Sequence, residues 1–183
     1  FSLPNPQNKC LLNNCLLSKK STMDNIKNTA EQKAFWSARY EENRTGWDIG
    51  YPSTPLKAYI DQLENKDLKI LIPGAGNAYE AEYLYQQGFK NIYVLDISEH
   101  PLKALKQRIP DFPAEQLVLG NFFEHEEQYD LIFEQTFFCS FEPTKENRAL
   151  YAQKMADLLV EGGKLVGLWF DIPLMTGTSK RPF

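Results

Sequence analysis

The sequence predicts an α/β protein built on a doubly wound, mostly parallel sheet. From Leu68 onward, short apolar runs alternate with stretches of helical period. Most of the runs are nearly unbroken, as strands buried on both faces require. The first run, "LKILIPGAGN", opens into a glycine-studded turn and a helix start. In sheets of this kind such a turn follows the carboxyl end of a strand, where ligands bind.

In chain order, helices are expected near 30–42 and 55–64, ahead of the sheet. The first strand is 68–73, apolar but for Lys69. Helix 78–87 follows, with Asn77 as N-cap, Glu80 at the capping-box position and Gly88 as its stop. Strand 92–97, helix 101–109 and strands 116–119 and 130–135 come next. Helix 145–159 starts after Pro143-Thr144 and is expected to bury Tyr151, Ala152, Met155, Leu158 and Leu159. It stops at Gly162-Gly163, and 164–171 is the fifth strand. No internal repeat is visible.

Composition narrows the function classes. A chain of 183 residues, 43% apolar and 24% charged, is most simply one globular domain. A net charge of −4 argues against nucleic acid as the main partner. No apolar run approaches the roughly 18 residues of a membrane span. Cys10, Cys15 and Cys139 lack metal-ligand spacing and read as reduced thiols of a cytoplasmic protein. Residues 1–22 have no regular period and fail as a signal peptide. They are expected to be a disordered leader, with Met23 a plausible start and 23–183 the domain.

The carboxyl ends of the strands carry 73–77, Asp96-Ile97-Ser98, Gly120-Asn121-Phe122 and Glu134-Gln135-Thr136. Asp96 follows Gly74 by 22 positions (96 − 74), a spacing that lets a carboxylate accept from two ribose hydroxyls. Such an Asp is otherwise a helix cap. The spacing fits NAD and S-adenosylmethionine equally. Tyr79 stands where the dinucleotide fingerprint needs its third glycine, which disfavours a pyrophosphate. The acidic Asp96 and Glu134 suit a cationic ligand, and "GGKLVGLWF" has the glycine-led look of a methyltransferase fifth strand. A sulfonium cofactor is therefore favoured. An NAD(P)-dependent oxidoreductase and a catalytically silent S-adenosylmethionine-binding protein remain as alternatives.

The motifs "FWSARYEENRTGWDIGYPSTPL", "LIPGAGNAYEAEYL", "VLDIS" and "DLIFEQTFFCSFEP…NRALYAQKM" together resemble the thiopurine S-methyltransferase family, and within it the halide and thiol methyltransferase branch. The resemblance runs from Glu31 to about residue 171. It implies a Rossmann-like, class I S-adenosylmethionine-dependent methyltransferase acting on a small soft nucleophile: a thiol, thiopurine, bisulfide, thiocyanate or halide. It places Trp36, Tyr40 and Trp47 over the cofactor, Tyr40 standing where the plant branch commonly has Trp. Gly74 would admit the methionine part, Asp96 the ribose, and Asn121 and Phe122 would flank the adenine. Asn121 replaces a common Asp but keeps an acceptor for the adenine amine. Glu134 would face the methionine ammonium or the sulfonium, with Gln135 beside it, and Arg148 would lie at the substrate. The resemblance also implies a glycine pair after "RPF", a further helix and a closing antiparallel hairpin. The chain thus reads as cut short, its fifth strand left as an unprotected edge. A full-length form is expected to be monomeric.

Methyl transfer of this kind asks for alignment rather than a strong base or a metal. His100 and His125 are accordingly expected to be solvated, and Cys139 to be a small buried residue.

Overall fold

Two helices, α1 (Thr29–Glu41) and α2 (Thr54–Ile60), precede the sheet in a computed structural model that describes residues 29–170. Then come β1 (Ile70–Pro73), α3 (Tyr79–Gln86), β2 (Ile92–Asp96), α4 (Glu99–Arg108), β3 (Leu117–Leu119), β4 (Tyr129–Gln135), α5 (Lys145–Asp157) and β5 (Leu159–Leu168). The leader expected over 1–22 and the end of the expected fifth strand lie outside the described residues. So does the segment "RPF".

The strands pair in the order β3-β2-β1-β4-β5, every neighbouring pair parallel. The order reverses between β1 and β4, which opens a crevice above their carboxyl ends. Alternation along the strands divides the core between two faces. Ile70 and Ile72, Ile92 and Val94, and Leu131 and Phe133 meet Leu56, Ile60, Leu84 and Leu105 from α2, α3 and α4. Leu71, Leu95 and Ile132 meet Tyr151, Met155 and Leu158 on the other side. Helices on both faces make the sheet doubly wound, as the sequence predicts.

Several expectations are corrected. Asn77 is not the N-cap of α3: Ala78 is, at φ +57°, with no side-chain cap bond. Asn77 instead turns its amide to the Asp48 carboxylate. Glu80 closes no capping box either, because its Oε1 accepts from Ser53 N at 2.8 Å. Within α5, Ala152 is exposed and Leu159 already belongs to β5. Gly162-Gly163 does not stop that helix, which ends at Asp157. The pair lies inside β5, where the register against β4 shifts between Tyr129↔Leu159 and Leu131↔Lys164. A Cβ on Gly163 would come within 3.0 Å of Val160 O and 3.1 Å of Tyr129 O, so the shift needs a residue without one. Among the described residues β5 pairs with β4 alone, and its side chains are half-buried or exposed rather than enclosed.

Candidate functional site

The cleft begins where β1 ends. Gly74 N donates to Leu95 O at 2.8 Å, extending the ladder one residue beyond β1. The chain then turns through Gly74 and Gly76, at φ +56° and +55°. These left-handed conformations are cheap for glycine and costly for other residues. Trp47 sits on the second glycine, its Nε1 3.5 Å from where a Cβ would be. The segment before α2 is tied to this turn by acids. Asp48 accepts from Asn77 and from Gly50 N, the latter at 2.8 Å, and Glu80 holds Ser53.

α1 roofs the cleft. Gln32, Trp36 and Tyr40 follow one another at intervals of four and share a helix face, and all of them line the cleft. Trp47 meets Trp36 edge-on at 5.5 Å and Tyr40 at 5.7 Å. The helix is fixed to the strand ends by polar contacts. Ser37 Oγ and Ser98 Oγ share a hydrogen bond at 3.1 Å, and Lys33 reaches Glu99 at 3.5 Å. His100 is not simply solvated: it stacks on Tyr40 at 5.8 Å and bonds Ser98 Oγ through Nδ1 at 3.2 Å. His125 likewise bonds Tyr129 Oη at 2.7 Å and is not part of the cleft wall.

Asp96 ends β2 at the floor, 7% exposed. It is not the N-cap of α4, a role Ser98 takes, but its Oδ1 accepts from Ser98 N at 2.8 Å. Burial pushes its pKa up to about 7, against the backbone N–H groups of Ser98 and Ile97. Burial, with Asp96 nearby, also pushes the Tyr40 hydroxyl far above its ordinary value.

At the β3 side the wall is Asn121, Phe122 and Phe123, with Phe137 and Phe141 packed against the two phenylalanines. Phe137 packs edge-on against Phe122 at 5.1 Å and Phe141 at 4.9 Å. The space in the cleft, counting its open mouth, comes to about 820 Å³. Aromatic faces of this kind attract a cation by about 0.5–2 kcal/mol per good contact.

The structure brings Trp36, Tyr40, Trp47, Gly74, Asp96, Asn121 and Phe122 together around this cleft. It does not bring the remaining expected residues there. Gln135 lines a neighbouring pocket that shares Trp47, Gly74, Gly76 and Thr136 with the cleft, and its Oε1 has no partner among the described residues. Glu134 is fully buried behind the glycine turn, where Oε1 accepts from Phe138 N at 2.7 Å. Its pKa is pushed up to about 7 by burial, so Asp96 and Glu134 are weaker anions than their sequence suggests. Arg148 sits with its guanidinium 6.0 Å over the Phe138 ring, outside the cleft wall. Cys139 is half-buried rather than buried, and burial pushes its thiol up to about 11. Thr136, between the two pockets, is held at φ +58°, strained for a β-branched residue. No group of side chains among the described residues could hold a metal ion, and no helix there is long and apolar enough to cross a membrane.

The sequence reading missed Gln32, Phe137 and the acids Asp48 and Glu80 as parts of the site. Only Gln32 had a local signal, its spacing of four before Trp36.

Residues 31–181, which include the aromatic roof, the glycine turn and Asp96, match the family model for thiopurine S-methyltransferase. The chain belongs to the thiopurine S-methyltransferase family. It is 31% identical over 147 residues to the probable thiol methyltransferase 2 of Arabidopsis thaliana, covering 78% of this chain and 64% of that protein. It is also 31% identical over 143 residues to thiocyanate methyltransferase 1 of the same plant, covering 75% and 61%. The chain thus spans about three fifths of the length of these relatives. Among solved structures, a 1,6-didemethyltoxoflavin-N1-methyltransferase from Burkholderia thailandensis, with bound 1,6-didemethyltoxoflavin and S-adenosylhomocysteine, superposes with a TM-score of 0.58. At 17% identity, covering 90% of this chain and 64% of that one, it shares the Rossmann-like methyltransferase fold that this family member adopts.

Proposed function

We propose that this chain is the catalytic core of an S-adenosylmethionine-dependent methyltransferase acting on a small soft nucleophile, such as a thiol, thiopurine, bisulfide, thiocyanate or halide. The observation that carries the reading is the cleft itself. An aromatic roof of Trp36, Tyr40 and Trp47 lines the same cleft as Gly74 and a buried strand-end carboxyl, Asp96. A sulfonium donor fits this set: its ribose hydroxyls can satisfy Asp96, and its charge suits the ring faces. When bound, S-adenosylmethionine supplies a methyl group activated by positive sulfur for in-line displacement.

The residues bind, orient and exclude water. Asp96 would hold the ribose, the phenylalanines at the β3 side would sandwich the base, and α1 with Trp47 would keep the reacting atoms dry. A thiolate or halide needs no strong base, and among the described residues the only carboxyl in the cleft wall is Asp96. The acceptor class draws support from the thiol and thiocyanate methyltransferases to which the chain is similar. An oxidoreductase is disfavoured because Asp48 and Glu80 flank the glycine turn where a pyrophosphate would lie. The cytoplasmic setting rests on the unpatterned cysteines alone.

Calorimetric titration with S-adenosylhomocysteine and with NADH separates the enzyme classes. Radiolabelled methyl transfer to a panel of thiols and iodide, with and without EDTA, then tests the chemistry. Binding of the nucleosidyl homocysteine and chelator-insensitive methylation of a thiol or halide are expected. Preference for NADH overturns the reading, and binding without transfer to any acceptor makes the chain a silent binder.

A further inference from the structure

We infer that Gln32 recognises the adenine of the methyl donor, an inference that rests on the S-adenosylmethionine reading above. Asn121, the residue expected to accept from the adenine amine, is already engaged at both ends of its amide. Its Oδ1 accepts from Phe123 N at 3.0 Å and so caps the turn Phe122–Glu124. Its Nδ2 donates to Thr29 Oγ1 at 3.1 Å. Asn121 holds the turn and the first residue of α1 in place, which is a structural task.

Gln32 lies one turn further along α1, half-buried in the cleft wall. Its side chain has no hydrogen-bond partner among the described residues. The helix is pinned to the β3 side of the cleft through Thr29 and to the end of β2 through Ser37 and Ser98. Gln32 falls between those anchors in sequence. A nucleoside whose ribose is held by Asp96 extends its base from the end of β2 toward the end of β3, beneath that stretch of helix. The other walls there, Phe122, Phe123 and Phe141, can stack on a base. Stacking accepts any base, because every base has a π-face. A carboxamide presents a donor and an acceptor side by side, the pattern that matches the adenine amine and an adjacent ring nitrogen.

The test is calorimetric binding of S-adenosylhomocysteine and of its analogue with hydrogen in place of the 6-amino group, using the full 183-residue chain. The wild-type chain is expected to prefer the amine by about tenfold, within the discrimination of a bidentate amide–adenine pair. Gln32→Leu keeps the side-chain bulk and should bind both compounds alike. Gln32→Glu keeps the acceptor for the amine and should retain the preference. If the wild-type chain binds S-adenosylhomocysteine and Gln32→Leu keeps the full preference, the inference falls while the methyl-donor reading survives. If the wild-type chain binds neither compound, both fall together.

Discussion

Replacing Gly74 with Ala strikes the cleft at its tightest backbone approach. The new Cβ would lie 2.0 Å from Phe137 Cδ2 and 2.6 Å from Cε2. Carbon atoms rest at about 3.5–4.0 Å, so the ring must retreat by about 1.5 Å or more. That ring is edge-packed on Phe122 and Phe141, and each such pair contributes about 0.5–1.5 kcal/mol beyond its buried area. The φ of +56° adds about 1–2 kcal/mol for a residue with a Cβ. A smaller unfolded-state entropy returns about 0.4–1 kcal/mol. The net loss is about 2–3 kcal/mol, to be read from urea denaturation. A double-mutant cycle isolates the collision: in a Phe137→Ala background the same Gly74→Ala change should cost about 1 kcal/mol or less, since only the backbone conformation is left to penalise. A loss under about 1 kcal/mol in the wild-type background, or equal losses in both backgrounds, refutes the reasoning.

The buried carboxyls give the fold a pH signature. Asp96 and Glu134 titrate near 7 when folded, against ordinary values of 3.8 and 4.5. The stability that this protonation contributes is full below the unfolded values and is lost as pH rises through about 7. Denaturation midpoints should therefore fall between about pH 4 and pH 7, with a shallower fall in Asp96→Asn and Glu134→Gln; a stability that climbs over this interval in the wild-type chain contradicts the assignment. Glu80→Ala leaves the buried Ser53 N–H without an acceptor and should destabilise by about 1–3 kcal/mol, whereas Glu80→Gln keeps an acceptor and should cost less. Equal thermal shifts for the two variants argue that the bond contributes nothing.

The order of elements and the sheet core were legible because buried parallel strands announce themselves as apolar runs. Their ends were less so. Leu68 and Lys69 continue the first run, yet Lys69 N donates to the Asp130 side chain at 2.8 Å, a pairing set 61 residues away. Asn77 has the chemistry of a cap, but Asp48, 29 residues earlier, competes for its amide and wins. Asp96 could be placed at the cleft from its spacing after Gly74, and the aromatic motif from the family resemblance. Glu134 could not, because strand-end position does not reveal that packing closes over the side chain. Phe137 was invisible for a similar reason: its place over Gly74 follows from the turn after β4, not from any local pattern.

α1 has no buried residue along its length, although it carries much of the cleft roof. Among the described residues its hold on the domain includes side-chain hydrogen bonds, the Lys33–Glu99 ion pair and ring contacts, and none of its residues belongs to the buried core. An element attached in that way opens at a lower free energy than the strands beneath it, and its amides exchange with solvent first. On the proposed function, a nucleoside enclosed under such a roof would escape at a rate governed by the fraying of a single helix. Lengthening or tightening the contacts of α1 would lengthen residence time before it altered the alignment of the reacting atoms. The proposed function would then have the speed of product departure and the quality of the chemical step set by different parts of the chain.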